Sequence, residues 1–297
     1  MKPLLKLTLL LSALLFSASL MAQINPVDAQ FFQNRYLANP AMAGFEQGLH
    51  LNLGYRTQWS NMPGSPINQN VNFESRLNKV GLGLIIASDK AGLLNYTKVL
   101  GTYAYHMPLN SPGEELHFGI NFGVYNGTLS MQNVIGDTND PDLVDFNERK
   151  IALDGDFGMV YSREKFEIEA TFYNLKSQLK GDVKNFADNS LSYISAQYVF
   201  PVSSWNIISK LAFRGVRNYK DVIDIGLNAI IPNEKLGFIA IFHSNKSTSY
   251  GISYLHNQQW QLLTSYNTSA QPIRNYASET FEIGLKINLN NNIVKTP

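Results

Sequence analysis

The 297-residue sequence predicts an all-β protein, an antiparallel up-and-down transmembrane β-barrel of about fourteen strands of the outer-membrane type. Three observations carry that prediction. Apolar residues alternate with polar or small ones in short runs along the chain. The connections between runs alternate long and short, as they do when tight turns close one end of a barrel and longer loops the other. The first 22 residues have the three parts of a secretory signal.

That leader is the first element. Lys2 and Lys6 form its charged start, Leu7 to Leu15 its apolar run, and Ala18 to Ala22 its cleavage region, with cleavage expected after Ala22. Residues 23–47 precede the first strand, and two placements are open for them: inside the barrel, or as a periplasmic latch. Residues 48–297 are expected to form the transmembrane barrel.

Five strands alternate most clearly. Leu49, Leu51, Leu53 and Tyr55 alternate with His50, Asn52, Gly54 and Arg56. Val80, Leu82 and Leu84 alternate with Gly81 and Gly83, and Leu116, Phe118, Ile120 and Phe122 with His117, Gly119, Asn121 and Gly123. Phe166, Ile168 and Ala170 alternate with Glu167 and Glu169, and Phe281, Ile283 and Leu285 with Glu282, Gly284 and Lys286. Successive strand side chains face opposite ways, so each strand has one apolar and one polar face. Weaker strands are expected at 67–75, 97–106, 150–161, 191–200, 205–214, 222–230, 236–244, 249–256 and 259–267. The expected long connections are 59–66, 89–96, 127–149, 174–190, 215–221 and 268–279. The short ones are 77–79, 107–114, 162–165, 201–204, 231–235 and 257–258, and the short 245–248 breaks the rhythm. No stretch after the leader is long and apolar enough for a spanning helix, so a membrane location requires a closed barrel, in which every backbone group finds an internal partner.

Composition narrows the function. Losing the leader removes Lys2 and Lys6 from 24 basic residues and none of the 23 acidic ones, leaving a formal charge of −1. That balance argues against nucleic acid as a partner. The absence of Cys excludes disulfides, thiolate metal sites and a Cys nucleophile.

The candidates for chemistry are few. Asp137, Asp140, Asp142 and Asp145, with Gly136 and Asn139, cluster in the longest loop, where clustered oxygens could hold Ca²⁺. Their spacing does not match a twelve-residue calcium loop, and a solvated loop is the favoured reading. His50, His106, His117, His243 and His256 lie in different strands without metal-ligand spacing, and structural or lumen-lining roles are expected of them. No G-x-S-x-G elbow is present, so no enzyme is expected. Asn126-Gly127-Thr128 and Asn245-Lys246-Ser247 match the glycosylation sequon, without consequence in a bacterial protein. Trp59, Tyr96, Tyr161, Tyr173, Trp205, Tyr219 and Trp260 fall at strand ends and suit interfacial girdles. Glycines 54, 81, 83, 119 and 123 recur on the polar face, where Gly lets another backbone approach or the sheet curve. A barrel of about fourteen strands leaves only a modest lumen. No catalytic, cofactor-binding or metal-ligating residue is assigned, and no cofactor is expected.

Certain short segments, in order, carry a resemblance. They are Phe31-Phe32-Gln33, Asn39-Pro40-Ala41-Met42-Ala43-Gly44, Tyr55-Arg56-Thr57-Gln58-Trp59 and Gly64-Ser65-Pro66. They continue with Val80-Gly81-Leu82-Gly83-Leu84, Ser88-Asp89-Lys90-Ala91-Gly92 and Tyr103-Ala104-Tyr105-His106. Phe118-Gly119-Ile120, Asp156-Phe157-Gly158-Met159-Val160-Tyr161, Arg274-Asn275-Tyr276 and Glu282-Ile283-Gly284-Leu285 complete the set. The chain thereby resembles the PorP/SprF family of outer-membrane proteins, associated with the type IX secretion system of Bacteroidota. The resemblance implies an integral, non-enzymatic barrel surrounded by outer-membrane lipid. It implies work with the secretion machinery: docking, anchoring or assisting export of a surface protein such as a gliding adhesin. It also implies periplasmic contacts with secretion-ring or cell-wall-associated components. The alternative is a passive porin or transport channel, which should show charged rings in its lumen. Here the polar faces carry Gly, Asn, Ser and scattered charges such as Arg56, Glu167, Glu169 and Lys286.

Overall fold

The computed structural model describes residues 30–131, 140–148, 151–180, 190–217, 220–231, 233, 235–257, 259–269 and 279–289. The expected leader at 1–22 lies outside the described residues, as do 23–29. The strands are β1 Leu49–Gln58, β2 Ile67–Leu77, β3 Val80–Ala91, β4 Leu94–Pro108, β5 Glu114–Leu129, β6 Ala152–Arg163 and β7 Phe166–Phe172. They continue as β8 Ser190–Val202, β9 Trp205–Val216, β10 Val222–Ile231, β11 Leu236–His243, β12 Thr248–His256, β13 Trp260–Asn267 and β14 Thr280–Asn288. Each pairs antiparallel with its sequence neighbours, and β1 pairs with β14 from His50↔Asn288 to Gln58↔Thr280, so the sheet is a closed barrel without an edge. The fold class predicted from alternation and strand count is the one observed.

The alternation is inverted relative to a soluble protein. On β14, Ile283 is 52% exposed while Glu282 beside it is 1% exposed. On β12, Tyr250, Ile252 and Tyr254 are exposed while Ser249 and Ser253 are buried. Apolar residues outside and polar residues inside are the arrangement of a barrel in lipid, and Trp205 and Trp260 sit on the outer face at the short-turn end, where a girdle belongs. No helix among the described residues is long and apolar enough to cross a membrane.

One end of the barrel is closed by tight turns between β2 and β3, β6 and β7, and β8 and β9, each with one left-handed residue: Asn78, Glu164 and Ser203. The opposite end carries the long connections after β5, β7 and β13. One connection departs from expectation. The long loop expected at 89–96 is instead a two-residue turn at Gly92-Leu93, with Ala91 paired to Leu94. The strand ends there carry polar side chains on both faces, Ser88 and Asn95 (Oγ to Oδ1, 3.1 Å) on one and Asp89 on the other, so the period-two signal fades before the strand does. Gly92 supplies the left-handed backbone (φ +58°) that the tight turn needs. Strand β5 likewise runs on to Leu129, and the returning loop covers its free edge. Asn147, at the end of helix α3 (Pro141–Asn147), accepts from Leu129 N at 2.6 Å and donates to Leu129 O at 3.2 Å, standing in for a neighbouring strand.

Candidate functional site

The lumen is occupied by the chain itself. Before β1, two one-turn helices, α1 Gln30–Gln33 and α2 Arg35–Ala38, and a 3₁₀ turn, Pro40–Met42, form a plug that runs from mid-barrel to the short-turn end. Its shape follows from local chemistry. Asn34 caps α2 by accepting from Leu37 N (3.3 Å), and Asn39 caps the 3₁₀ turn by accepting from Ala41 N (3.0 Å). Pro40 takes the first position of that turn, where no N–H is needed. Gly44, at φ +67°, turns the chain out toward β1, and a Cβ there would lie 2.7 Å from Ser75 O.

The lumen-facing glycines mark the plug's footprint. A Cβ on Gly81 would lie 1.8 Å from Ala43 O, on Gly119 2.3 Å from Ala41 N and on Gly158 2.0 Å from Asn39 Oδ1. Gly81 and Gly119 are small because another backbone crosses them, and Gly158 because the Asn39 and Pro40 side chains do. Gly123 differs, since its neighbour is Val99 O of the adjoining strand. Gly119→Val should therefore loosen the seat by about 1–3 kcal/mol, the usual cost of overpacking. Limited proteolysis would read this as faster cleavage within 30–45 with the barrel intact; unchanged cleavage would contradict the close approach.

Around that floor the wall hydrogen-bonds the plug's backbone and side chains. Thr171 Oγ1 and Tyr173 Oη donate to Ala38 O at 3.1 and 2.6 Å. Glu74 accepts from Gly44 N (3.0 Å) and from Asn52 Nδ2 (3.2 Å). Asn72 Nδ2 donates to Asn34 Oδ1 (3.1 Å), Asn34 Nδ2 to Asn70 Oδ1 (3.3 Å), and Asn70 Nδ2 to Gln30 Oε1 (3.4 Å), an amide ladder between plug and β2. Tyr36 pairs with Thr102, and burial raises its phenol pKa, an effect that the Thr102 hydrogen bond only partly offsets, so it stays neutral. Apolar contacts are local: Tyr36, Met42 and Ala43 pack with Ile85, Leu100 and Val160, and Phe31 with Tyr193, Ile239 and Leu263.

The charges at the plug are matched. Arg35 makes a two-armed ion pair with Glu167, which also accepts from Gln197 Nε2 at 3.0 Å. Lys210 Nζ lies 2.9 Å from Glu169 Oε1 and 4.9 Å from the centre of the Phe31 ring, and Ser195 Oγ donates to Glu169 at 2.7 Å. Burial works against the Arg35 charge, but Glu167 and Glu169 outweigh it and hold the guanidinium pKa above its ordinary value.

Two constellations were not visible in sequence. His106 and His117, eleven residues apart, are register partners across β4 and β5, with Nδ1 atoms 2.7 Å apart. His106 Nε2 faces Ala43 O at 3.0 Å, and a carbonyl only accepts, so that nitrogen carries the proton. With both rings neutral, His117 Nδ1–H donates to His106 Nδ1 and the Ser162 hydroxyl donates to His117 Nε2 (3.0 Å), one directed chain ending on the plug. On β9 to β12, Arg214 Nε lies 2.6 Å from Asp224 Oδ2, His243 Nδ1 2.6 Å from Asp224 Oδ1, and His243 Nε2 2.7 Å from Ser249 Oγ. That order of acid, imidazole and hydroxyl is shared with hydrolases. Here Ser249 is 0% exposed and Arg214 also holds the acid, which makes the group a lock across four strands.

The other sequence candidates are scattered. Asp137 lies outside the described residues; Asp140 precedes α3 and Asp142 and Asp145 lie within it. Among the described residues no group of three or more His, Cys, Asp or Glu is placed to hold a metal. His50 lies apart from both groups, its Nε2 donating to Gln47 O at 3.0 Å. Tyr173, expected in a girdle, turns its hydroxyl onto the plug, and Tyr96 lies within β4 with its ring against Gly127. Tyr219 lies outside the described residues.

Comparisons with known proteins agree with this architecture. A family model, "Type IX secretion system membrane protein PorP/SprF", matches residues 20–287. No curated protein matches in sequence. Among solved structures, the CymD monoaromatic hydrocarbon channel is similar at 14% identity and TM-score 0.51, over 90% of this chain and 93% of that one. The Acinetobacter baumannii outer membrane protein Omp33 is similar at 8% identity and TM-score 0.49, over 82% and 99%. The Pseudomonas putida toluene transporter TodX is similar at 9% identity and TM-score 0.49, over 86% and 91%. At these identities the likeness to CymD shows a shared barrel fold.

Proposed function

This chain belongs to the PorP/SprF family of type IX secretion system membrane proteins, and from that membership we propose that it is a closed docking barrel of the outer membrane. Its long loops face outward and hold an exported surface protein such as an adhesin, either anchoring it or assisting its export. Its short turns face the periplasm and meet secretion-ring or cell-wall-associated components. Export depends on the leader at 1–22, removed after Ala22.

The observation that carries this reading is the filled lumen. Residues 30–45 occupy the space a passive porin would leave to water, and the wall is built to hold them. The start of the connection after β7 is in turn braced. Helix α4 (Leu175–Lys180) is seated by Asp154 Oδ1 accepting from Lys176 N at 2.7 Å and by Asp156 Oδ1 accepting from Asn174 N at 2.9 Å. It presents Leu179 at 86% exposure, an apolar contact point on a wet face.

The test is gentle detergent purification of the tagged protein from its own outer membrane, with mass spectrometry of what remains bound. Stoichiometric recovery of a large exported protein, reduced by Leu179→Asp, supports docking at the outer face. Recovery of a lone barrel would sink the reading.

A further inference from the structure

We propose that the plug is a gate: residues 30–45 leave the lumen as a unit, pivoting on Gly44 and Gly48, and open an aqueous passage for cations and small hydrophilic solutes. Four observations point to it, and none depends on which partner the outer loops hold.

First, the wall is complete without the plug. All fourteen strand pairs, β1 with β14 included, are made between strands, so removing the plug breaks no ladder. Second, among the described residues the plug is joined to the wall covalently at one end only, through Glu46, Gln47 and Gly48 to Leu49. Both glycines that bracket this exit have left-handed backbone, φ +67° at Gly44 and +106° at Gly48, and Glu46 and Gln47 are exposed. Gly44 is buried at the edge of the packed body and Glu46 pairs with Lys286 on β14, so opening turns the backbone at these two glycines and also breaks that ion pair.

Third, the carboxylates of the seat keep wall partners when the plug is gone. Glu167 retains Gln197, and Glu169 retains Lys210 and Ser195. Glu74 retains Asn52. The open state therefore strands none of these three wall carboxylates. Fourth, the exposed lining would be wettable. Buried lumen residues include the carboxylates of Glu74, Asp154, Asp156, Glu169, Asp224 and Glu282 against the cations Arg56 and Lys210, with Arg76, Arg214 and Lys286 less deeply buried on the same face; the carboxylates still outnumber these cations, a modest excess that favours cations. A barrel of about fourteen strands lies between those filled by side chains and the open porins, wide enough for small solutes once emptied.

The closed state is the one described here, and the gate opens when the seat is weakened. Arg35 is the contact to remove, because its loss weakens the plug alone. Planar-bilayer recordings would compare the full-length parent with Arg35→Ala, after heat-modifiable gel migration shows both barrels folded. The parent should be nearly silent, and Arg35→Ala should raise open events on the order of tenfold or more, the expected consequence of losing one charge-assisted contact. The conductance should be cation-selective. The control uses the absence of native Cys. Asn34→Cys with Asn72→Cys, at side chains now 3.1 Å apart, are joined by a reversible bis-thiosulfonate reagent on the Arg35→Ala background. Cross-linking should silence the channel and reductant should restore it. Gly119→Val, which displaces the Pro40 turn without touching a charge, should open it by a second route. Silence of both folded variants would overturn the gate. Openings that ignore the cross-link, or that show no cation preference, would overturn it too, since current would then pass somewhere other than the vacated lumen.

Discussion

Replacing Glu169 with Leu will destabilise the plugged barrel by about 3–5 kcal/mol, the cost of leaving a buried charge without its partner. Lys210 is 3% exposed and its ammonium sits 2.9 Å from Glu169 Oε1, with the Phe31 and Tyr193 rings on its other sides. Aromatic faces stabilise a cation by far less than they would need to replace a carboxylate. The same change deprives Ser195 of its acceptor. Urea unfolding in vesicles, followed by the heat-modifiable band, would measure the loss. The double variant Glu169→Leu with Lys210→Met should recover most of it, because a buried pair replaced by apolar groups of similar volume is often close to neutral. A single variant within about 1 kcal/mol of the parent would mean that Lys210 discharges or reaches water, and the matched-charge reading of the seat would fail.

Ile252→Arg should cost about 2–4 kcal/mol in a bilayer, the penalty for a cation on the lipid face near mid-membrane. Ile252 lies midway along β12, 52% exposed, beside Phe238 of β11. The adjacent Ser253 is 6% exposed and faces the lumen. Ile252→Leu should be nearly neutral. The same urea titration in vesicles checks it, and an arginine tolerated as well as leucine would mean that water, not lipid, covers that face. The contrast between 252 and 253 is the period-two argument turned into a measurement.

Most of the barrel could be read from the chain. The alternation at Leu49–Arg56 and Phe281–Leu289 marks strands whichever face is buried, and the spacing of runs marks their order. Where polarity appears on both faces, as at Ser88 to Asn95, the signal disappears and a hairpin looks like a loop. The glycines at 54, 81, 83 and 119 announce a close approach, but nothing local says that plug backbone meets Gly81 and Gly119 while side chains of Gln30 and Tyr36 meet Gly54 and Gly83. The pair His106 and His117 has no motif because its eleven-residue spacing has meaning only once the β4–β5 register is known. The Asp224, His243 and Ser249 group depends in the same way on the registers of three successive strands.

What the sequence determined by itself is therefore the local part: strand periodicity, cap and turn residues such as Asn34, Asn39 and Pro40, and family membership. What only the tertiary structure decided is the content of the lumen. A segment before β1 can cap its own turns from local hydrogen bonds, yet its place depends on surfaces supplied by strands far along the chain, from Asn70 to Gln261. Those surfaces exist only after closure brings β14 back to β1, since the interior of a barrel is a property of all its strands at once.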